Sequence, residues 1–226
     1  MTDPTPLLSL QDILFSYESG QFSLEVQELS LHPGESVMCM GPSGSGKTTL
    51  LELMAGLQDP KRGQARLQGK TWTDLTKNQR QQLRLQSMGL VFQGFELLAA
   101  LTLEENVLLP LRFLGRSPKQ ELPRCHELMQ SLGILDLAHK KPAESSFGER
   151  QRAAICRALI TRPAVILADE PTANLDQESA DLALSLLLDQ SKTQGAALFL
   201  ISHDSRHTDL IDRMVSMDSL APGLPT

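Results

Sequence analysis

The chain has 226 residues, of which 41% are hydrophobic and 21% are charged, and 27 acidic against 21 basic residues give a formal net charge of −6. This length allows one domain, or one domain with a small lobe, and the apolar content is sufficient for a core. The acidic balance argues against broad electrostatic binding to nucleic acid, and we expect no nucleic-acid partner. No apolar stretch approaches the roughly 20 residues of a membrane-spanning helix, and the N-terminus has no signal-peptide pattern.

The predicted elements begin with two strands, over 9–17 and 22–31, where apolar residues alternate. A third strand, 36–40, leads into a glycine-rich stretch at 41–49, and a helical pattern follows over 49–56. Beyond it the sequence predicts helices over 80–86, 118–132, 145–160 and 177–193, and strands over 89–93, 164–168, 197–201 and 213–217. Strands that alternate with helices indicate a parallel α/β core, and the more helical middle third predicts a separate lobe.

The glycine-rich stretch Gly41-Pro42-Ser43-Gly44-Ser45-Gly46-Lys47-Thr48 matches the pattern G-x-x-x-x-G-K-[ST] without deviation. Glycines let backbone N–H groups turn inward around phosphate oxygens, and the N-terminus of the next helix adds favourable partial charge. We expect residues 41–49, including Thr49, to bind a nucleotide, with Lys47 bridging the β- and γ-phosphates and the Thr48 hydroxyl ligating Mg²⁺. A lysine at a helix N-terminus is unfavourable without an anion beside it, which argues against a turn that binds nothing.

Two carboxylates, Asp169 and Glu170, follow the apolar run 164–168. The carboxyl end of a buried parallel strand is where α/β sheets bind ligands. Asp169 suits the Mg²⁺ shell, directly or through water, and Glu170 suits a general base that polarises an attacking water. Alone, the pair would be two ordinary acids at a strand end. After a phosphate loop, it predicts a nucleoside-triphosphate hydrolase.

Further residues and motifs indicate which class of nucleoside-triphosphate hydrolase this is. In chain order they are Tyr17, Gln93, Ser145–Arg152, Asn174–Asp176 and His203. With them, the chain from Leu8 to Met217 resembles the ATP-binding subunits of ATP-binding-cassette (ABC) transporters. The resemblance implies an α/β fold with the parallel-sheet core of P-loop NTPases, an N-terminal antiparallel β region and a helical lobe. It implies a single ATP-binding domain over 1–226, with the core at 1–88 and 162–217 and the lobe at 89–161, and ATP and Mg²⁺ as cofactors.

The resemblance also assigns roles to single residues. Tyr17 lies where the family has an aromatic side chain that stacks on adenine, although it could also be a strand residue that faces the core. Gln93 matches the glutamine that reaches Mg²⁺ and links to the membrane subunit, and His203 matches the histidine that contacts the γ-phosphate. Catalysis would therefore depend on Glu170, His203 and Gln93, and the metal would be held by Thr48, Gln93 and Asp169.

In the family scheme, one subunit holds ATP on its phosphate loop and the signature helix of a second subunit contacts the same γ-phosphate. Ser146, Gly148 and Glu149 lie in that signature motif, and Asp176 lies in the loop that crosses the dimer interface. The resemblance thus implies a second ATP-binding subunit, expected to be identical. It also implies a transmembrane permease, so that the chain would be cytoplasmic and lie on the cytoplasmic face of the inner membrane.

One residue departs from the family pattern, because Phe147 stands where the signature motif has its first glycine. If that position needs a positive φ or a close approach to phosphate, phenylalanine is unfavourable. If it only starts the helix, phenylalanine is tolerated and faces the second subunit. Our hypothesis is that ATP still binds well and that hydrolysis is reduced.

Within the family, the segments Phe92–Leu98, Leu101–Val107 and Leu167–Asp176 resemble a branch of lipoprotein-releasing, macrolide-export and cell-division ATPases. The short segment 17–31 is closer to that of small-molecule importers, and a soluble ABC ATPase or a mechanical actuator without transport remain alternatives. We expect the membrane subunit to dock on 93–107. The apolar residues of this region look exposed in the sequence: Phe95, Leu97, Leu98 and Leu101.

Overall fold

The structure, a computed structural model, describes residues 5–18, 22–203 and 208–220. Nine strands are found in this part of the chain: β1 Leu8–Ser16, β2 Ser23–Leu31, β3 Ser36–Met40, β4 Arg62–Leu67, β5 Lys70–Thr71, β6 Met88–Val91, β7 Val165–Asp169, β8 Ala197–Ile201 and β9 Arg213–Ser216. The α-helices are α1 Lys47–Met54, α2 Lys77–Ser87, α3 Leu103–Phe113, α4 Pro118–Ser131, α5 Phe147–Leu159, α6 Gln177–Gln194 and α7 Met217–Leu220.

The strands form two sheets. Four strands make an antiparallel sheet in the order β2-β1-β4-β5, in which β1 pairs with both β2 and β4. Five strands make a parallel sheet in the order β6-β7-β8-β3-β9. The order of the parallel sheet places the carboxyl ends of β3 and β7, which precede the phosphate loop and Glu170, on either side of β8.

The parallel sheet is covered on both faces, and alternate residues of its central strands enter two different apolar clusters. Val165 and Leu167 of β7 face the cluster that holds α1 and the antiparallel sheet. Ile166 and Ala168 face the cluster that holds α3, α4, α5 and α6. Because side chains of a strand alternate between faces, a continuous apolar run is what a strand buried on both faces requires.

The structure moves several predicted boundaries and adds elements that the sequence patterns did not show. Strands β4 and β5 and helix α3 lie outside every predicted segment, and Met217 begins α7 instead of ending the last strand. Strand β6 pairs with β7, so residues up to Val91 lie in the core sheet, although the lobe was expected to begin at 89. The division into a core and a helical lobe otherwise stays a prediction.

Helix α3 begins with a capping box in which the Thr102 hydroxyl accepts from the N–H of Glu105 and the Glu105 carboxylate accepts from the N–H of Thr102. The buried Asn106, one turn later, bonds the preceding loop through both ends of its amide. Its Nδ2 donates to the carbonyls of Leu98, Leu101 and Thr102, and its Oδ1 accepts from the N–H of Leu98. This side chain therefore fixes the loop that joins β6 to α3.

Candidate active site

The phosphate loop connects β3 to α1 and contains two glycines in the left-handed region, Gly44 with φ of 80° and Gly46 with φ of 86°. A Cβ atom on Gly46 would lie 2.6 Å from the ring of Phe22, so a larger residue is excluded by space as well as by backbone conformation. Gly46 is the N-cap of α1 and offers no side-chain cap. The first N–H groups of α1 are thus available to an anion.

Lys47 is only 8% exposed, and its ammonium group lies inside the curve of the loop. Its Nζ donates to the carbonyl oxygens of Gly41 at 2.7 Å and Pro42 at 2.8 Å. Carbonyl dipoles compensate a buried cation less well than a carboxylate does. The loop therefore concentrates positive potential at the point where the sequence predicts the phosphates.

Thr48 and Asp169 meet across the carboxyl edge of the sheet, where the Thr48 hydroxyl donates to Oδ2 of Asp169 at 2.8 Å. Both side chains line a cavity of about 660 Å³ together with Gln93, and hydroxyl, carboxylate and amide oxygens are the hard ligands that Mg²⁺ prefers. Among the described residues no group of three His, Cys, Asp or Glu side chains could hold a metal. This donor set, with its single carboxylate, fits Mg²⁺, which is bound through one or two carboxylates, phosphate oxygens and water.

Glu170 also lines this cavity, and its side chain is 13% exposed. Its Oε1 lies 3.1 Å from Nε2 of His203, at ion-pair distance but outside the angular range of a hydrogen bond. Burial raises the pKa of the Glu170 carboxyl above its ordinary value, while the charges of His203 and Lys47 oppose that rise. A carboxylate with a raised pKa beside the Asp169–Thr48 pair has the properties of a general base.

Tyr17 follows the end of β1 and lies beside the phosphate loop rather than in the core. Its hydroxyl is 3.0 Å from Oγ1 of Thr49, and its ring contacts the rings of Phe15 and Phe22. The side chain is partly exposed. The core-facing alternative for this residue is therefore wrong, and an exposed aromatic face beside the loop is compatible with stacking on a base.

The signature residues lie at the N-terminus of α5. The Ser146 hydroxyl accepts from the N–H of Glu149, and the Glu149 carboxylate accepts from the N–H of Ser146, so the two form a capping box. A Cβ atom on Gly148 would be 3.2 Å from the side chain of Leu175, which packs this motif against the loop before α6. Asp176 caps α6 by accepting from the N–H of Ser179 at 3.0 Å.

The structure brings one group of predicted residues together and leaves another apart. The cavity is lined by Ser43, Gly44, Lys47, Thr48, Gln93, Asp169, Glu170 and His203, with Thr172, Ala173, Leu175 and Ser202, which were not predicted. Six of the predicted nucleotide-binding residues (Tyr17, Gly41, Pro42, Ser45, Gly46 and Thr49) are not part of its lining, and neither are Ser146, Gly148, Glu149 and Asp176, which lie at the starts of α5 and α6. This arrangement is compatible with signature residues that act on a nucleotide held by another subunit.

Phe147 and Phe95 form a contact that sequence reasoning missed. Phe147 is the first residue of α5 and does not have a positive φ, so phenylalanine meets no backbone strain there. Its ring packs edge-on against Phe95, with centroids 4.4 Å apart. Phe95 is buried rather than exposed as expected, and the Arg157 guanidinium donates to the carbonyls of Phe95 and Glu96, both of which have positive φ.

Comparison with known proteins identifies relatives of similar length. Residues 24–173 match the family model described as ABC transporter. The lipoprotein-releasing system ATP-binding protein LolD of Pseudomonas fluorescens is 40% identical over 215 residues, which cover 93% of this chain and 94% of that protein. The LolD protein of Legionella pneumophila is 38% identical over 212 residues, covering 92% of this chain and 93% of the relative.

Longer proteins and solved structures match as well. The macrolide export ATP-binding/permease protein MacB of Marinobacter nauticus is 39% identical over 204 residues, covering 89% of this chain and 32% of that protein. The dimeric structure of a bacterial ABC transporter cassette superposes with a TM-score of 0.86 at 32% identity, covering 92% of this chain and 93% of that one. A post-hydrolysis state of the same cassette, bound to ADP and Pi, also gives a TM-score of 0.86, at 30% identity and with 97% and 98% covered.

Proposed function

The chain belongs to the ABC transporter family, and we propose that it is the ATP-hydrolysing subunit of a membrane complex that releases lipoproteins or exports macrolides. The relatives and the similar structures confirm the family and the ABC ATPase fold that the sequence predicts. They also confirm the prediction that the chain binds ATP. The observation that carries the proposal is the convergence of Lys47, Thr48, Gln93, Asp169, Glu170 and His203 on one cavity. These side chains supply the cation, the hard oxygen ligands and the carboxylate that phosphoryl transfer to water requires.

In the proposed mechanism, N–H groups of the phosphate loop and the Lys47 ammonium bind the β- and γ-phosphates. Thr48 and Asp169, with Gln93, would hold Mg²⁺, which when bound neutralises charge on the phosphate oxygens. Glu170 accepts a proton from the attacking water, and His203, 3.1 Å away, donates to the γ-phosphate.

The acid limb of the pH–rate profile tests the role of Glu170. A general base must be deprotonated, so raising its pKa moves the loss of activity to higher pH. We expect kcat for ATP to fall with an apparent pKa above the ordinary glutamate value. Turnover measured at saturating ATP and Mg²⁺ over a pH series checks this. The residual turnover of Glu170→Gln should lack this limb, and an identical limb in that variant would assign it to another group.

The proposed working unit contains two copies of this chain. Ser146, Gly148 and Glu149 form one helix N-terminus, lie outside the lining of their own cavity and would contact the γ-phosphate of the second copy. The dimeric cassette among the similar structures supports this arrangement. ATP would then join the two subunits, and hydrolysis would release them.

A second, apolar groove supports docking of a membrane subunit. It has a volume of about 340 Å³ and lies between α2, β6, α3 and α5, with Leu85, Met88, Leu90, Phe92, Pro110 and Phe113 in its wall. The loop carbonyls of Phe95 and Glu96, fixed by Arg157, lie at its side. No helix in the described part of the chain could cross a membrane. We propose that a separate permease occupies the groove and places the chain on the cytoplasmic face of the inner membrane.

Phe113→Glu tests this groove, because Phe113 is 58% exposed and lines it. A carboxylate there should be desolvated by an apolar partner, so co-purification with the membrane subunit should fall at least about 10-fold. ATPase activity of the isolated chain should not change. Leu182→Glu is the matched control, since Leu182 is 44% exposed and lies on α6, outside the groove. Equal retention of the membrane protein by both variants would contradict docking in this groove.

Identifying the partner separates the candidate functions. The Glu170→Gln variant can be purified by affinity from detergent-solubilised membranes with ATP and Mg²⁺, and its partners identified by mass spectrometry. A partner with few spans and a large extracytoplasmic domain supports lipoprotein release or macrolide export. A many-span permease would favour the importer, the alternative that the short segment 17–31 suggests. Recovery without any membrane protein would favour a soluble ATPase.

Phe147→Gly and Phe147→Ala together test whether the aromatic ring limits hydrolysis. Because Phe147 has no positive φ, backbone strain does not limit hydrolysis, and we propose that the bulk of the ring does so at the nucleotide that the second subunit holds. Both variants should therefore raise kcat several-fold. An increase in the glycine variant alone would point to backbone conformation, and unchanged or lower kcat in both would contradict the hypothesis.

A further inference from the structure

The Gln151 side chain lies on α5, two residues after the signature residue Glu149, and is only 2% exposed. Its Nε2 donates to the backbone carbonyl of Glu170 at 3.1 Å. Its Oε1 has no hydrogen-bond partner within 5–18, 22–203 and 208–220. Leaving a buried amide oxygen unpaired is unfavourable, and such groups in folded proteins call for an explanation. Here we attribute it to the hydrogen bond that Nε2 of the same amide donates to the Glu170 carbonyl.

Glu170 has a backbone φ of 50°, a left-handed conformation that a non-glycine residue adopts only where its surroundings enforce it. Its N–H donates to the carbonyl of Ile201 in β8 at 3.0 Å. Its carbonyl accepts from Gln151 and, more weakly, from the N–H of Ala173 at 3.3 Å. The sheet therefore fixes the N–H group of Glu170. Gln151, on α5, fixes its carbonyl group.

We propose that Gln151 is a positioning residue for Glu170, a role that rests on the proposed function of Glu170 as the general base. The Gln151 amide fixes the peptide group that follows Glu170, and this peptide group sets the direction of the Glu170 side chain. With the contact in place, the carboxylate faces the cavity beside His203 and Asp169. Without it, the Glu170–Pro171 unit can rotate and move the carboxylate away from the attacking water. Displacements of about 1 Å are enough to slow catalysis strongly.

Gln151→Met removes the donor while keeping an unbranched side chain of similar length. We expect kcat for ATP to fall about 10-fold or more, with KM and the thermal shift produced by ATP unchanged. Gln190→Met is the matched control, because Gln190 is also a buried glutamine but lies on α6 and accepts from Arg124. That variant should lose comparable thermal stability and keep the kcat of the unmodified chain.

A second comparison separates positioning from a general structural effect. In the Glu170→Gln background, where the carboxylate is already gone, Gln151→Met should change the residual single-turnover rate by less than about 2-fold. The same fold loss in both backgrounds would overturn the proposal, as would unchanged kcat in Gln151→Met alone. If Gln151→Met does not fold, Gln151→Asn, whose shorter amide does not reach the carbonyl, should give the same kcat loss.

The two proposals can fail separately. If Glu170→Gln abolishes turnover and Gln151→Met does not lower it, only the role of Gln151 is wrong. If Glu170→Gln leaves turnover intact, the assignment of the general base is wrong, and the role of Gln151 falls with it.

Discussion

Replacing Glu170 by Gln is expected to lower ATP turnover about 10²–10⁴-fold, the range that general bases supply. The amide has the shape of the carboxylate but cannot accept a proton from water at neutral pH. ATP binding should persist, because Lys47, Thr48 and the loop N–H groups are untouched. Binding without hydrolysis should trap a dimer, which size-exclusion chromatography with light scattering detects in ATP and Mg²⁺.

Glu127→Gln provides the control for this experiment, since it makes the same change of charge on an exposed side chain of α4. It should elute and turn over ATP like the unmodified chain. Elution of Glu170→Gln as a monomer with turnover intact would refute the assignment of the base. Loss of turnover together with loss of ATP binding would instead indicate a damaged site.

The core strands and the phosphate site could be predicted because their signals are local. A run such as Val165–Asp169 is typical of a strand buried on both faces, as in a parallel sheet, and the loop 41–48 carries its glycines and lysine in one segment. Once the strands are known to be parallel, their carboxyl ends must lie at one edge. The meeting of Thr48 and Asp169, 121 residues apart in sequence, follows from that rule.

Two elements could not be found from periodicity because their patterns are weak. Strand β4, Arg62–Leu67, contains charged residues and a glycine, and it is a strand because β1 supplies its partners. Helix α3 contains Pro110, which breaks an isolated helix pattern. Its capping box, Thr102 to Glu105, was visible in the sequence and is the signal that could have located the helix.

The contacts of Gln151 and Phe147 could not be derived from the sequence at all. Each contact joins segments that are separate along the chain. An amide donor can bond any acceptor and an aromatic ring can pack on any apolar group, so the residue type does not reveal the partner. Phe95 looked exposed because it lies in an apolar loop, yet the packing of α5 buries it. The side chains that line the cavity were therefore predictable, whereas the contacts that hold the surrounding segments in place were not.

Lys47→Met is expected to weaken ATP binding while leaving the nucleotide-free protein as stable as before or more stable. Lys47 is 8% exposed and its ammonium group donates to two backbone carbonyl groups, so its burial opposes folding. In the proposed complex with ATP, the same charge would contact phosphates, and a hydrogen bond to a charged group contributes about 1.5–3 kcal/mol. Losing it should weaken ATP binding roughly 10–100-fold.

Thermal unfolding with and without ATP and Mg²⁺ measures both effects in one series. At about 100 times its Kd, ATP should raise the Tm of the unmodified chain by roughly 5–10 °C. At the same ATP concentration, Lys47→Met should lose roughly 50–85% of this shift, without a lower Tm in the absence of ATP. Lys192→Met, which removes a charge in the last turn of α6, should keep the full shift.

If Lys47→Met also keeps the full shift in Tm with ATP, the phosphates do not bind at this lysine. If the variant unfolds at lower temperature without ATP, the lysine serves the fold more than the nucleotide. The two effects must be measured together: the Tm without ATP and the shift in Tm that ATP produces. Only a residue kept for its ligand is expected to destabilise the free protein and to stabilise the complex.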